Sequence, residues 1–161
     1  MSAVAQSGIR MLPAQQRPLR LAIAADVALV PVDAAGAAAG FHVERAIEMV
    51  ESGEWPWAFD VSSGMGEVRE LRVWIGSIQT SSEFRVPSSD LDSVIDAVIG
   101  TEDAEVRGAY LETRWRISDQ TIRRLLNNGL LKGRISGHAR WIDRASLVAF
   151  LQRRAVGVPA R

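Results

Sequence analysis

Between Ser118 and Ile142 the chain reads SDQTIRRLLNNGLLKGRISGHARWI. Ser118, Gln120 and Thr121 place short polar donors and acceptors at the start of this stretch. Such groups reach base edges, and glutamine pairs bidentately with adenine. Arg123 and Arg124 follow, each offering a planar fork of donors to a guanine edge or a phosphate. Lys132, Arg134, His138 and Arg140 then fall within nine residues. Any one of these charges is unremarkable on a solvated surface. As a set they are the chemistry of contact with double-stranded DNA. Asp119 has the wrong sign for a phosphate; it could accept from a cytosine amino group, but reads best as a carboxylate favouring a helix N-terminus.

Other chemistries lack their residues. The sequence contains no cysteine, which excludes disulfides, thiolate catalysis and cysteine-ligated metals. His42 and His138 are far apart, and no histidine or carboxylate cluster has metal-ligand spacing. There is no P-loop and no G-x-S-x-G motif. The one tyrosine, Tyr110, sits on the expected buried face of a helix, and GAAAG at 36–40 reads as a small-residue face for close packing. The expectation is a non-enzyme, with no cofactor and no metal.

The elements that must hold the polar set are legible around it. EVRGAYLETRW carries Val106, Tyr110, Leu111 and Trp115 at helical spacing, giving a first helix. After a turn at 115–118, Ser118 is suited to cap a second helix by accepting from a free backbone N–H. Ile122, Leu125 and Leu126 form the buried stripe of that helix, and Gly129 supplies the left-handed residue that stops it. Two short runs flank SGHA as a hairpin over 134–142, with Ile135 and Trp141 expected inward and Arg134 and Arg140 flanking the groove. Asp143 is expected to cap a last helix, RASLVAFLQRR, with Leu147, Phe150 and Leu151 on one face.

The first half repeats this plan at an offset of 76 residues: Phe41 falls on Ile117, Ala46 on Ile122, Met49 on Leu125, Val50 on Leu126 and Gly53 on Gly129. A turn at 40–42 and a longer hairpin over 57–75 follow, with Trp57, Phe59 and Val61 alternating, then Leu71, Val73 and Ile75. VPSSDLDSVIDAVIG is a strong helix signal over 90–99, started by Pro87, Ser88 and Ser89 and stopped by Gly100. Units of this size bury only about 60% of their unfolded surface. The 90–99 helix is therefore expected to pack against one or both units in a single body.

Charge divides the repeats although the net charge is zero. Residues 31–100 hold 12 acidic and 4 basic groups, and residues 101–161 hold 6 acidic and 12 basic ones. A basic half of this size is an electrostatic footprint for nucleic acid. In repeat one Glu44, Glu48, Glu51 and Glu54 would face phosphates with the wrong sign. That unit is expected to self-associate or to bind a protein partner, and Trp55 and Trp57 beside Pro56 would suit such an interface if exposed.

Taken in order, the helix, the turn, ISDQTIRRLLNNGLL, the basic hairpin KGRISGHARWI and DRASLVAFL resemble the excisionase and MerR-type winged helix-turn-helix family over 106–152, with a looser copy over 32–75. The resemblance implies an α+β, mainly helical fold of tandem winged helix-turn-helix units, each with a small β-hairpin wing. It also implies that the second helix enters the DNA major groove while the wing lies at the minor groove or backbone. Members act as recombination directionality factors or transcription regulators, often in phages or mobile elements; the alternative role is an assembly adaptor, such as a component like a small terminase.

The expected organisation is a disordered lead over 1–18, an acidic unit over 19–100, a basic unit over 101–155 and a tail over 156–161. Arg10, Arg17 and Arg20 before LAIAADVALVPV loosely imitate a secretory signal, but the lead-in is long and Asp26 interrupts the apolar run. That run is also too short to span a bilayer. A cytoplasmic protein without membrane contact is the expectation.

Overall fold

The computed structural model describes residues 26–64, 68–79 and 90–156. The expected lead over 1–18, the helix start at Pro87 to Ser89 and most of the tail lie outside the described residues.

The chain is a mixed α and β protein, about half helical over the described residues, with small antiparallel sheets. Repeat one comprises β1 (Leu29–Pro31), α1 (Val32–Ala39), α2 (Val43–Glu51), β2 (Ala58–Asp60), β3 (Leu71–Trp74) and α3 (Ile75–Gln79). The connecting helix is α4 (Leu91–Ile99). Repeat two comprises β4 (Glu105–Arg107), α5 (Gly108–Trp115), α6 (Asp119–Asn127), β5 (Gly133–Ser136), β6 (Ala139–Asp143) and α7 (Arg144–Arg154), and β7 (Ala155–Val156) closes the described chain. The order β-α-α-β-β-α thus occurs twice. Its first three elements keep the 76-residue offset: Leu29 falls on Glu105, Val32 on Gly108 and Val43 on Asp119. Gly53 and Gly129, at φ 79° and 74°, follow α2 and α6 in left-handed geometry.

The 3-residue strands β1 and β4 abut their helices directly. Val106 therefore lies in a strand, where helical spacing had placed it in α5. Each of these strands pairs antiparallel with the second strand of its own hairpin, β1 with β3 and β4 with β6. The helix pairs that follow them pack closely. At Gly36 a Cβ would lie 2.9 Å from that of Ala46, so the GAAAG face lets α1 and α2 approach.

The repeat-one sheet, in the order β1-β3-β2-β7, is covered on two sides. Val30, Ala58 and Val73 pack with Ala35, Ala46, Met49 and Val50 of α1 and α2. Leu29, Trp57 and Phe59 belong instead to the larger core, with Val94, Ile95, Phe150 and Leu151 of α4 and α7. Trp55 and Trp57 are buried, at 1% and 8% exposure. They are core residues and offer no protein-binding surface, which corrects the interface expectation for them.

The repeats are joined through this shared core and by the chain end. β7 pairs antiparallel with β2, bringing Val156 opposite Ala58. Helix α4 leaves its last carbonyls without helical partners, and α5 supplies donors. Tyr110 Oη donates to the Ile99 carbonyl at 3.1 Å, Arg114 Nε and Trp115 Nε1 donate to that of Val98 at 3.0 and 3.1 Å, and Arg114 Nη2 donates to that of Ala97. At its other end Asp90 caps the helix by accepting from the Ser93 N–H at 2.7 Å.

Candidate nucleic-acid interface

Helix α6 is strongly amphipathic. Ile122 and Leu125 are fully buried, while Gln120, Arg123, Arg124 and Asn127 are exposed. Those four sit at i, i+3, i+4 and i+7, so they share one helix face. Ser118 caps the helix, accepting from the Thr121 N–H at 3.1 Å, and its hydroxyl lies 3.0 Å from that of Thr121. The two hydroxyls largely satisfy each other, leaving Gln120 as the exposed polar group of the first turn.

The hairpin β5–β6 turns through Gly137 and His138, with Gly137 at φ 62° and Ser136 opposite Ala139. This short turn fixes the register: Arg134 faces Trp141 and Ile135 faces Arg140. Residues paired across strands share a face. Trp141 therefore lies on the outer face, where it was expected inward, and Ile135 and Arg140 lie on the face toward α6; Arg134 starts from the outer face beside Trp141 and also lines the edge of the groove. Ile135 is 72% exposed, because the hairpin reaches beyond the core it grows from. His138 is exposed at the tip.

Between α6 and the hairpin lies an open groove of about 860 Å³. Arg123, Lys132, Arg134 and Arg140 line it together with apolar Leu126, Leu131 and Ile135. No carboxylate is among its lining residues, although two carboxylates hold its cations. Asp119 Oδ2 lies 3.0 Å from Arg123 Nε, and Asp119 Oδ1 accepts from Arg140 Nη1. Glu105 on β4 accepts two bonds from Arg134, both at 2.8 Å, with the guanidinium over the Trp141 ring. These bonds hold the Glu105 carboxyl below its usual range and push Arg134 further up. Among the described residues Arg107, Arg124 and Lys132 have no carboxylate partner.

All nine sequence-derived residues thus belong to one unit, and seven of them are exposed or line the groove without a capping role: Gln120, Arg123, Arg124, Lys132, Arg134, His138 and Arg140. Sequence reasoning missed Asn127, which its i+7 spacing from Gln120 could have revealed, and Arg107, which faces Trp141 from β4. It also missed Glu105 as a partner, and gave Asp119 only a helix-end role. Asp143 occupies the cap position of α7 without a side-chain cap bond, and Ser146 Oγ instead donates to its carbonyl at 2.8 Å.

The equivalent face of repeat one has opposite chemistry. Glu44 stands in the place of Gln120, Ile47 of Arg123, Glu48 of Arg124 and Glu51 of Asn127. Phe41 and Val43 are partly exposed beside them, at 38% and 40%.

No protein-family model matches the chain, and no curated protein or solved structure is significantly similar to it. Among the described residues no helix is long and apolar enough to cross a membrane.

Proposed function

We propose that repeat two is a winged helix-turn-helix that binds double-stranded DNA, with α6 in the major groove and the β5–β6 hairpin as the wing. The observation that carries this reading is the groove lined by Arg123, Lys132, Arg134 and Arg140 between helix and hairpin. A duplex presents a ridge of phosphates beside its major groove. A helix that enters the major groove and a hairpin that crosses the adjacent backbone leave a cationic channel for that ridge. Gln120 and Asn127 offer amide groups to base edges, and Ile135 offers an apolar contact to a sugar or a thymine methyl. In this reading the chain is an accessory factor of excisionase or MerR-like type, acting in recombination directionality or transcription regulation, and repeat one is a second winged unit that does not touch DNA.

The test is binding of the full chain to a duplex across a salt series. Arg107, Arg123, Arg124, Lys132, Arg134 and Arg140, less Asp119 and Glu105, leave roughly four neutralised phosphates and a log–log slope of about −3.6. Arg124→Ala should flatten the slope by about 0.9. Gln120→Ala should leave the slope unchanged but lower preference for the selected site by roughly 1–3 kcal/mol. No binding at about 50 mM salt would favour the second reading, an assembly adaptor. The feature favouring that one is the acidic α2 face with Phe41 and Val43 exposed beside it.

A further inference from the structure

We propose that Asp119 is a positioning residue that sets how sharply this face discriminates between duplex sequences. The inference rests on the DNA-binding reading and deepens it. Asp119 is the first residue of α6, and its two carboxylate oxygens reach different arginines: Oδ2 lies 3.0 Å from Arg123 Nε on the helix, and Oδ1 accepts from Arg140 Nη1 on the hairpin. The two arginines line the same groove from its two walls. One carboxylate therefore ties the reading helix to the wing.

The geometry also selects which donors remain. Arg123 meets the carboxylate through Nε, and a guanine edge or a phosphate is recognised by the pair of donors at the end of a guanidinium. A tethered guanidinium loses less freedom on binding than a mobile one. The carboxylate has a second effect. It cancels one of two positive charges, so the face attracts any phosphate backbone less strongly. Asp119 thus trades general affinity for fixed geometry.

The substitution Asp119→Asn should reverse that trade. In the full chain, anisotropy would compare wild type, Asp119→Asn and Asp119→Glu on two probes: a duplex selected from a random-sequence pool by the wild type, and an unselected random-sequence duplex. Asp119→Asn is expected to bind the unselected duplex about three-fold tighter, with a salt slope steeper by about 0.9. The ratio of selected to unselected affinity should fall roughly five-fold or more. Asp119→Glu keeps the charge, so it should restore the wild-type slope while recovering the ratio only in part. It also keeps the test open if the Asn variant does not fold. A ratio unchanged in both variants, with wild-type binding intact, would overturn the role of Asp119 alone. A wild type that binds neither duplex would overturn the DNA-binding reading and this inference with it.

Discussion

Strands β2 and β3 of repeat one lie inside the molecule, with Ala58 and Val73 against one helical layer and Phe59 against another. Strand β5 of repeat two is exposed along its whole length, and its partner β6 buries only Ile142. The element order is the same, yet one hairpin is scaffold and the other projects. The difference follows from what each sheet meets. Repeat one receives α4, α7 and β7 on its sheet, whereas the outer face of the repeat-two sheet carries Trp141 between Arg107 and Arg134, both of them exposed. The helix faces differ in step with the hairpins: glutamates on α2 stand where α6 carries Gln120, Arg124 and Asn127. The same order of elements occurs twice, once with its hairpin buried and once with it projecting.

The largest test of this division concerns the shared core. Trp115 is fully buried and stacks on Phe150 at 6.5 Å, and the same core holds Phe59 of repeat one. Trp115→Ala should cost about 3–5 kcal/mol. Urea unfolding followed by tryptophan fluorescence should show both repeats lost in one transition. Two separate transitions would break the idea that repeat one is scaffold for repeat two.

Exchanging charges between the equivalent faces comes next. Arg124→Glu gives repeat two the charge that Glu48 gives repeat one, and should weaken duplex binding roughly ten-fold or more at moderate salt. Glu48→Arg, in repeat one, should change affinity less than about two-fold, because its neighbours on that helix face are Glu44 and Glu51. Equal effects at the two positions, read by the same anisotropy assay, would make the repeats equivalent readers.

A smaller effect separates the two helix ends. Gly40 follows α1 at φ 80°, while its counterpart Arg116 follows α5 at φ 54°. Left-handed geometry costs a side-chain-bearing residue roughly 1–2 kcal/mol. Arg116→Gly should therefore stabilise the fold by up to about 1 kcal/mol and Gly40→Ala should destabilise it similarly, as measured by chemical denaturation. The carbonyl of Arg116, which accepts from Arg72 Nη2 at 3.0 Å, is kept in the first change.

The smallest expected effect is a pH dependence at the joint between the repeats. Burial works to raise the pKa of Asp60, but bonds from Ser62 and the Glu70 N–H, with the charge of Arg154, outweigh it and hold the carboxyl below its ordinary range. A depressed carboxylate pKa adds stability above the unfolded value, and that stability is lost as pH falls through the folded value. Below about pH 3.8 the wild type should thus lose stability faster than Asp60→Asn. Parallel melting curves for the two across that range would remove Asp60 from the joint.

Much of this architecture was legible in the residues. Helices α2 and α6 announced themselves through apolar spacing and glycine stops, α7 through apolar spacing, and the 76-residue repeat followed from matching Ala46 with Ile122 and Gly53 with Gly129. What was not legible is tertiary or too short. A strand of 3 residues cannot show alternation, so Val106 read as helix. The face of each hairpin residue depends on the turn that sets the register, so Arg140 and Trp141 exchange the faces expected of them. The carboxylate on Arg134 comes from Glu105, 29 residues away, and only the sheet order brings them together. The burial of Trp55 and Trp57 depends on helices from elsewhere in the chain.

The most direct test of the account is a map of backbone amide shifts in the full chain, recorded as a random-sequence duplex is added at about 50 mM salt. The account predicts perturbations concentrated over residues 119–127 and 132–140, with residues 43–51 of the equivalent helix unmoved. Perturbations over 43–51 of equal size, or none over 119–140, would contradict it.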